Sequence, residues 1–260
     1  MKRFILSLIS VMILITVCVA MTSSERQDKY VAVFHPAAVK TQDVAEEFFG
    51  KEEIIPEEPV VKEPVVEEPK VYDGVVYLTF DDGPVEAITV PILDILKEYG
   101  VKATFFTLGS YGERNPEILK RQAEEGHTVA NHSYSHKKDI FQSLSTFQSE
   151  IEKTNEVILN ATGKEVKFFR IPYGTKVGAA YKEYLDSLGM EVIGWNCESY
   201  DSRTPKRTAE QILEGVKSTS KGKKEVIVIM HDTYGKTETV KALPSVIEYF
   251  QSINYEFKAF

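Results

Sequence analysis

From Gly74 onward, short apolar runs alternate with stretches of helical periodicity. Side chains share a face every second residue in a strand and every third or fourth in a helix. On that pattern strands are predicted at 75–80, 103–108, 128–131, 168–170, 191–194, 226–230 and 255–257. Helices are predicted at 87–99, 116–125, 146–161, 179–188, 209–218 and 240–251. Gly100, Gly126, Gly163 and Gly189 stand where four of these helices should stop, because glycine adopts the left-handed turn that ends a helix. Ser145 with Gln148 reads as a capping box. Strand–helix alternation at this spacing implies a parallel sheet with helical crossovers. The number of units favours an α/β barrel, complete or incomplete, over an open sheet.

The polar residues fall at repeated places in this pattern. Asp81-Asp82, Asn131-His132, Arg170, the segment from Asn196 to Asp201, and His231 all lie at or just after the end of a predicted strand. In a barrel of parallel strands that end carries the active face. The run up to Phe80 stops at two adjacent carboxylates, and Gly83-Pro84 then turns the chain. Neighbouring side chains on a strand point to opposite faces, so both carboxylates can serve one site only where the backbone leaves the strand.

His132 and His136 lie four residues apart. On one helical turn they would face the same way and could share a cation; alone they could equally be solvated loop histidines. With Asp82 as a third hard ligand, the set suits zinc or a similar divalent metal (Co2+ or Mn2+) with an open water position. Arg170 in Arg170-Ile171-Pro172-Tyr173 can fork onto a carboxylate, and Pro172 leaves the following backbone N–H free for an oxyanion. The apolar run 226–230 delivers His231 at its tip.

The rest of the chain bounds where this chemistry operates. Met1-Lys2-Arg3 precedes an uncharged run from Phe4 to Ser24, which reads as an export signal at 1–24. An uncleaved membrane anchor through 4–24 fits as well, since spans reach down to about 17 residues. Between Ala45 and Asp73 there are ten Asp/Glu and three Lys, a net of -7 out of a formal -8 for the chain. Like charges and repeated prolines there predict a disordered Glu/Pro/Val spacer over 25–71. The catalytic domain is expected at 72–260. No basic stripe is present, so nucleic acid is not an expected partner. The cysteines are Cys18 and Cys197, which leaves no internal disulfide once a leader is removed. That fits export from a thick-walled bacterium better than a small disulfide-dependent domain.

Taken together, Thr79-Phe80-Asp81-Asp82-Gly83, His132-Ser133-Tyr134-Ser135-His136, Arg170-Ile171-Pro172-Tyr173, the region ending in Asp201, and Ile229-Met230-His231 resemble the five motifs of the polysaccharide deacetylase family. That family is also called the NodB-homology or carbohydrate esterase family 4 group. The resemblance runs from about Tyr72 to the C-terminus. It implies a distorted (β/α) barrel of about seven parallel strands and metal-dependent removal of acetyl groups from amino sugars or acetylated glycans. It further implies Asp82, His132 and His136 as metal ligands, and Asp81 as general base held by Arg170. His231 would be the general acid oriented by Asp201. The Tyr173 N–H would bind the oxyanion, and Ile229 would stand beside the acetyl methyl. The family commonly has tryptophan directly after the aspartate at Asp201, where this chain has Ser202. The expected partner is a cell-wall glycan, peptidoglycan first, with chitin oligomers or acetylated xylan as alternatives. A non-catalytic wall-binding protein on the same fold is the alternative of another class. The expected location is extracellular or cell-surface, in a Gram-positive bacterium.

Overall fold

A computed structural model of the chain describes residues 70–260. The leader expected at 1–24, and the spacer up to residue 69, lie outside the described residues. No helix among the described residues is long and apolar enough to cross a membrane.

The strands are β1 (Gly74–Asp81), β2 (Thr104–Thr107), β3 (Thr128–Asn131), β4 (Phe168–Phe169), β5 (Glu191–Val192), β6 (Cys197–Glu198), β7 (Glu225–His231) and β8 (Tyr255–Lys258). The helices are α1 (Glu86–Glu98), α2 (Gly109–Gly112), α3 (Pro116–Glu124), α4 (Leu144–Thr162), α5 (Ala179–Ser187), α6 (Ala209–Ser220) and α7 (Thr237–Ser252). All strand pairs are parallel, in the order β5-β4-β3-β2-β1-β7-β6. β8 is additional. It pairs with the first half of β1, from Gly74 to Tyr77, while β2 pairs with the last residues, from Thr79 to Asp81.

The two ends of this order, β5 and β6, follow one another in the chain. Ile193 to Asn196 carry the backbone across from one edge of the curled sheet to the other, with no ladder between β5 and β6 among the described residues. The barrel is therefore incomplete in hydrogen bonds and is closed covalently. This accounts for the one strand that periodicity missed. Cys197–Glu198 is too short to show a period, and it sits inside a segment whose polarity reads as a loop.

β1 pairs with three neighbours, β2, β7 and β8. Val76, Leu78 and Phe80 are fully buried, and so is Thr79 on the other face, as expected for a parallel strand covered on both sides. α1, α7 and β7 pack on it through Ile92, Leu93, Leu96, Val246, Ile247, Phe250 and Val228. A second cluster joins α4, β4 and α5 through Phe147, Ile151, Ile158, Phe169 and Leu185. In α4 the buried positions Phe147, Ile151, Thr154 and Ile158 form one helical stripe. Its N-cap is Ser143, whose hydroxyl accepts from the Thr146 N–H at 3.1 Å. The capping box expected at Ser145 and Gln148 is not formed, because the helix starts two residues earlier and Ser145 lies inside it. The four predicted stop glycines all adopt positive φ, from 66° to 81°.

Candidate active site

β1 presents Asp81 as its last residue, and Asp82 follows with φ 72°. A non-glycine residue there is uncommon, and the turn lets two adjacent carboxylates reach one cavity. The turn is held from several sides. The Asp82 N–H donates to the Phe106 carbonyl at 3.2 Å, and the Asp232 N–H donates to the Asp81 carbonyl at 3.0 Å. A Cβ on Gly83 would lie 2.1 Å from Asp232 Oδ2, so the buried Asp232 carboxyl occupies the space that a side chain would take. The Thr89 hydroxyl lies 2.8 Å from Asp232 Oδ2. Burial, with Asp82 and Asp81 nearby, pushes the Asp232 carboxyl up to about 7, against the hydrogen bonds from Thr89 and from its own backbone.

His132 and His136 follow β3 on a bent loop rather than the helical turn that their spacing suggested. Ser133 and His136 both have positive φ, 70° and 56°. Side chains fix the loop. Asn131 Oδ1 accepts the Ser133 N–H at 2.8 Å. Glu150 Oε2, from α4, accepts the N–H groups of Tyr134 and Ser135 at 2.9 and 2.7 Å. The result brings both imidazoles onto Asp82: His132 Nε2 lies 3.5 Å and His136 Nε2 3.4 Å from Asp82 Oδ1.

This cluster fits a metal ion on its own geometry. One ligand atom from each of Asp82, His132 and His136 lies within 4.8 Å of the others. Asp82 Oδ1 is enclosed and has no hydrogen-bond partner. His132 Nδ1 lies 2.8 Å from the Arg170 carbonyl; a carbonyl only accepts, so Nδ1 carries the hydrogen and Nε2 keeps a lone pair. Burial pushes the His132 pKa down to about 3, with His136 and the Arg170 guanidinium adding to the effect and Asp82 and the Arg170 carbonyl opposing it. The Asp82 Oδ1 and His132 Nε2 lone pairs face each other with His136 Nε2 beside them, an arrangement that a cation satisfies.

Arg170 is fully buried behind Asp81. Its Nη1 donates to Asp81 Oδ1 at 2.8 Å and to Thr79 Oγ1 at 2.7 Å. Its Nε and Nη2 donate to the carbonyls of Ile193 and Gly194 at 3.2 and 2.9 Å. The guanidinium lies 4.0 Å from the centre of the Phe106 ring. Burial lowers its pKa, against the pull of Asp81. The fork thus fixes one oxygen of Asp81. Asp81 Oδ2 lies 3.8 Å from His132 Nε2, on the side of the cluster.

β7 places His231 level with Asp81 across the β1–β7 ladder. Asp201 Oδ1 accepts from His231 Nδ1 at 2.7 Å. Asp201 Oδ2 accepts the His231 N–H at 2.8 Å and the Thr239 hydroxyl at 2.9 Å. The Lys236 ammonium donates to the Asp201 carbonyl at 2.9 Å. Burial works against charge on His231, but Asp201, then Asp81 and Asp82, outweigh it and push its pKa up to about 9. Burial likewise works against charge on Asp201, but His231, Lys236 and Thr239 hold its carboxyl below the usual range. Near neutral pH the pair is an imidazolium and a carboxylate.

Asp81, Asp82, His132, His136, Asp201 and His231 line one cavity of about 430 Å3, together with Tyr173 and Ile229. Arg170 is the sequence-predicted residue that does not line it; it stands behind. Tyr173 has φ 61°, and its phenol donates to the His136 carbonyl at 2.6 Å. The sequence reading missed Trp195 and Glu198, which also line the cavity and are joined by a 2.7 Å bond from Trp195 Nε1 to Glu198 Oε1. Their signal was available: Trp195 is the single tryptophan of the chain, three residues before Glu198. Where Ser202 leaves a small side chain beside Asp201, the aromatic wall comes from Trp195, packed against Gly174. Thr239 was also missed, and nothing in the local sequence of α7 marks it.

The fold and site define an incomplete parallel (β/α) barrel with a carboxylate and a charged histidine beside a cluster fit for a metal. Known proteins match this description. Residues 69–193 match the family model for polysaccharide deacetylase. The chain is 36% identical over 184 residues to the peptidoglycan-N-acetylglucosamine deacetylase PgdA of Listeria monocytogenes, covering 70% of this chain and 37% of that one. It is 33% identical over 192 residues to a peptidoglycan-N-acetylglucosamine deacetylase of Bacillus cereus, covering 72% and 69%. The crystal structure of a Bacillus cereus polysaccharide deacetylase superposes with a TM-score of 0.67 at 31% identity, covering 72% of this chain and 92% of that one. The chain belongs to the polysaccharide deacetylase family. It spans little more than a third of the length of the Listeria relative.

Proposed function

We propose that this protein is a metal-dependent hydrolase that removes N-acetyl groups from a cell-wall polysaccharide, with peptidoglycan N-acetylglucosamine or N-acetylmuramic acid as the favoured substrate. The observation that carries this reading is the convergence of Asp81, the Asp82–His132–His136 cluster and the charged His231 on one cavity. The names of the Listeria and Bacillus relatives support the same substrate class.

Asp82, His132 and His136 would hold the ion, and their mixed nitrogen and oxygen donors suit Zn2+, with Co2+ or Mn2+ as other occupants. A divalent cation there supplies Lewis acidity, polarising a carbonyl oxygen and lowering the pKa of water from about 15.7 towards ~7. Asp81 takes the proton of the water that attacks the acetyl carbon. Arg170 fixes Asp81 Oδ1, so the other oxygen stays turned to the cluster. The Tyr173 N–H supports the charge that develops on the acetyl oxygen. His231 enters as imidazolium, and Asp201 fixes its Nδ1–H. The Nε2 proton is then the one given to the departing nitrogen. Ile229 borders the methyl group. The products are a free amine on the sugar and acetate.

The proposed setting is the cell surface of a Gram-positive bacterium, reached through residues 1–24 as cleaved leader or retained anchor. Acetate release from peptidoglycan, chitin oligomers and acetylated xylan, with and without chelator, tests the reading. Release that stops with chelator and returns with Zn2+ is expected. No acetate from any of the three at saturating Zn2+ would overturn it.

A further inference from the structure

The loop after Asp201 carries three cations and no acid: Arg203, Lys206 and Arg207. Arg203 lines the cavity of Asp81 and His231, and it also lines a neighbouring groove of about 520 Å3. Ser202, between Asp201 and Arg203, is small and exposed and lines the first cavity. Arg207, Tyr200, Glu210 and Glu214 line the groove with Arg203.

The guanidinium groups here are placed but not neutralised. Arg203 lies 3.8 Å over the Tyr200 ring, which orients a guanidinium without cancelling its charge. Arg207 Nε is enclosed and has no partner. Among the described residues the arginines in ion pairs are Arg121 and Arg170. The two lining acids pair with neither arginine: Glu214 lies 3.5 Å from Lys217, and Glu210 bonds Thr208.

We propose that this groove is a subsite for a carboxylate-bearing substituent on the glycan, next to the sugar being deacetylated, with Arg203 and Arg207 as the residues that read it. The proposal rests on the deacetylase reading and narrows it. A guanidinium fork matches a carboxylate in two parallel hydrogen bonds, which a hydroxyl cannot reproduce. Peptidoglycan offers carboxylates on its stem peptide, or on the lactyl ether where the peptide has been removed. Chitin oligomers offer only hydroxyls and amides. The groove therefore favours the acidic, peptide-bearing polymer over a neutral glycan with the same acetamido group.

The test compares kcat/KM for acetate release from a peptide-bearing peptidoglycan fragment and from a chitin oligomer of similar length, using the full chain. Wild type should prefer the acidic fragment, and high salt should shrink the preference. Arg203→Gln and Arg207→Gln should each lower the ratio by about tenfold, the size of one lost charge-assisted hydrogen bond, mainly through KM. Arg203→Lys should keep part of it, as charge without the fork. Equal losses on both substrates, or no wild-type preference, would overturn the proposal. Binding of the same two glycans, read by Trp195 fluorescence, separates it from the reaction. If no acetate forms but the acidic fragment still binds more tightly and loses that advantage in the Gln variants, the deacetylase reading fails and the subsite stands. Equal binding of the two glycans would sink the subsite.

Discussion

At the residue scale, the Asp201–His231 pair sets the pH behaviour. Burial opposes the His231 charge, yet Asp201 carries its pKa from an ordinary value near 6.5 up to about 9. A raised histidine stabilises the fold fully below about 6.5, and that contribution is lost as pH rises through about 9. Asp201 has the opposite sign: its contribution is present above the ordinary carboxylate range and is lost as pH falls through its depressed pKa. Activity that needs the His231 proton should therefore fall on the alkaline side near pH 9. Asp201→Asn should move that limb down by about one to three units, as expected when a close counter-charge is removed; a pH profile of kcat/KM measures it. Asp81→Asn and His231→Ala should each lower kcat by about 10²–10⁴-fold while the protein still binds metal. His132→Ala should lose the metal as well. Metal content by elemental analysis separates the two classes, and full turnover by Asp81→Asn would refute Asp81 as the base.

At the scale of elements, the site depends on loops that leave strands abruptly. Gly83→Ala would drive a methyl into the Asp232 carboxyl, 2.1 Å away. The expected cost is about 1–3 kcal/mol of stability, as for other overpacked sites, together with weaker metal binding because Asp82 turns on the same bend. Urea unfolding and a metal titration would read the two effects. The polar motifs were legible in the sequence because each stands at the end of an apolar run, and the ends of parallel strands share one face. β1 and β7 were legible because they are the two longest strands and carry nearly continuous apolar runs. The 132–136 loop was not. Its shape depends on Glu150 and Asn131 binding its N–H groups, and those partners lie outside the motif. β6 was not legible either, since two residues carry no period and its ladder partner, β7, follows only after α6.

For the whole molecule, a metal bound only by the folded state adds stability by mass action. At 100 times its dissociation constant this amounts to about 2.7 kcal/mol, or roughly 5–10 °C in Tm for a domain of this size. Chelated protein should melt lower than Zn2+-loaded protein by about that margin, and in Asp82→Asn the difference should largely vanish. Differential scanning calorimetry in both states would check it.

The passage of Ile193 to Asn196 from one edge of the sheet to the other has a further effect. The carbonyls of Ile193 and Gly194 face inward and are taken by Arg170, whose third arm grips Asp81. One side chain therefore latches the wall and aims the base. Loosening one function loosens the other, so an Arg170→Met protein should show faster amide exchange across 193–196 along with its loss of turnover. Selection on reactivity at this position would be selection on how tightly the barrel shuts.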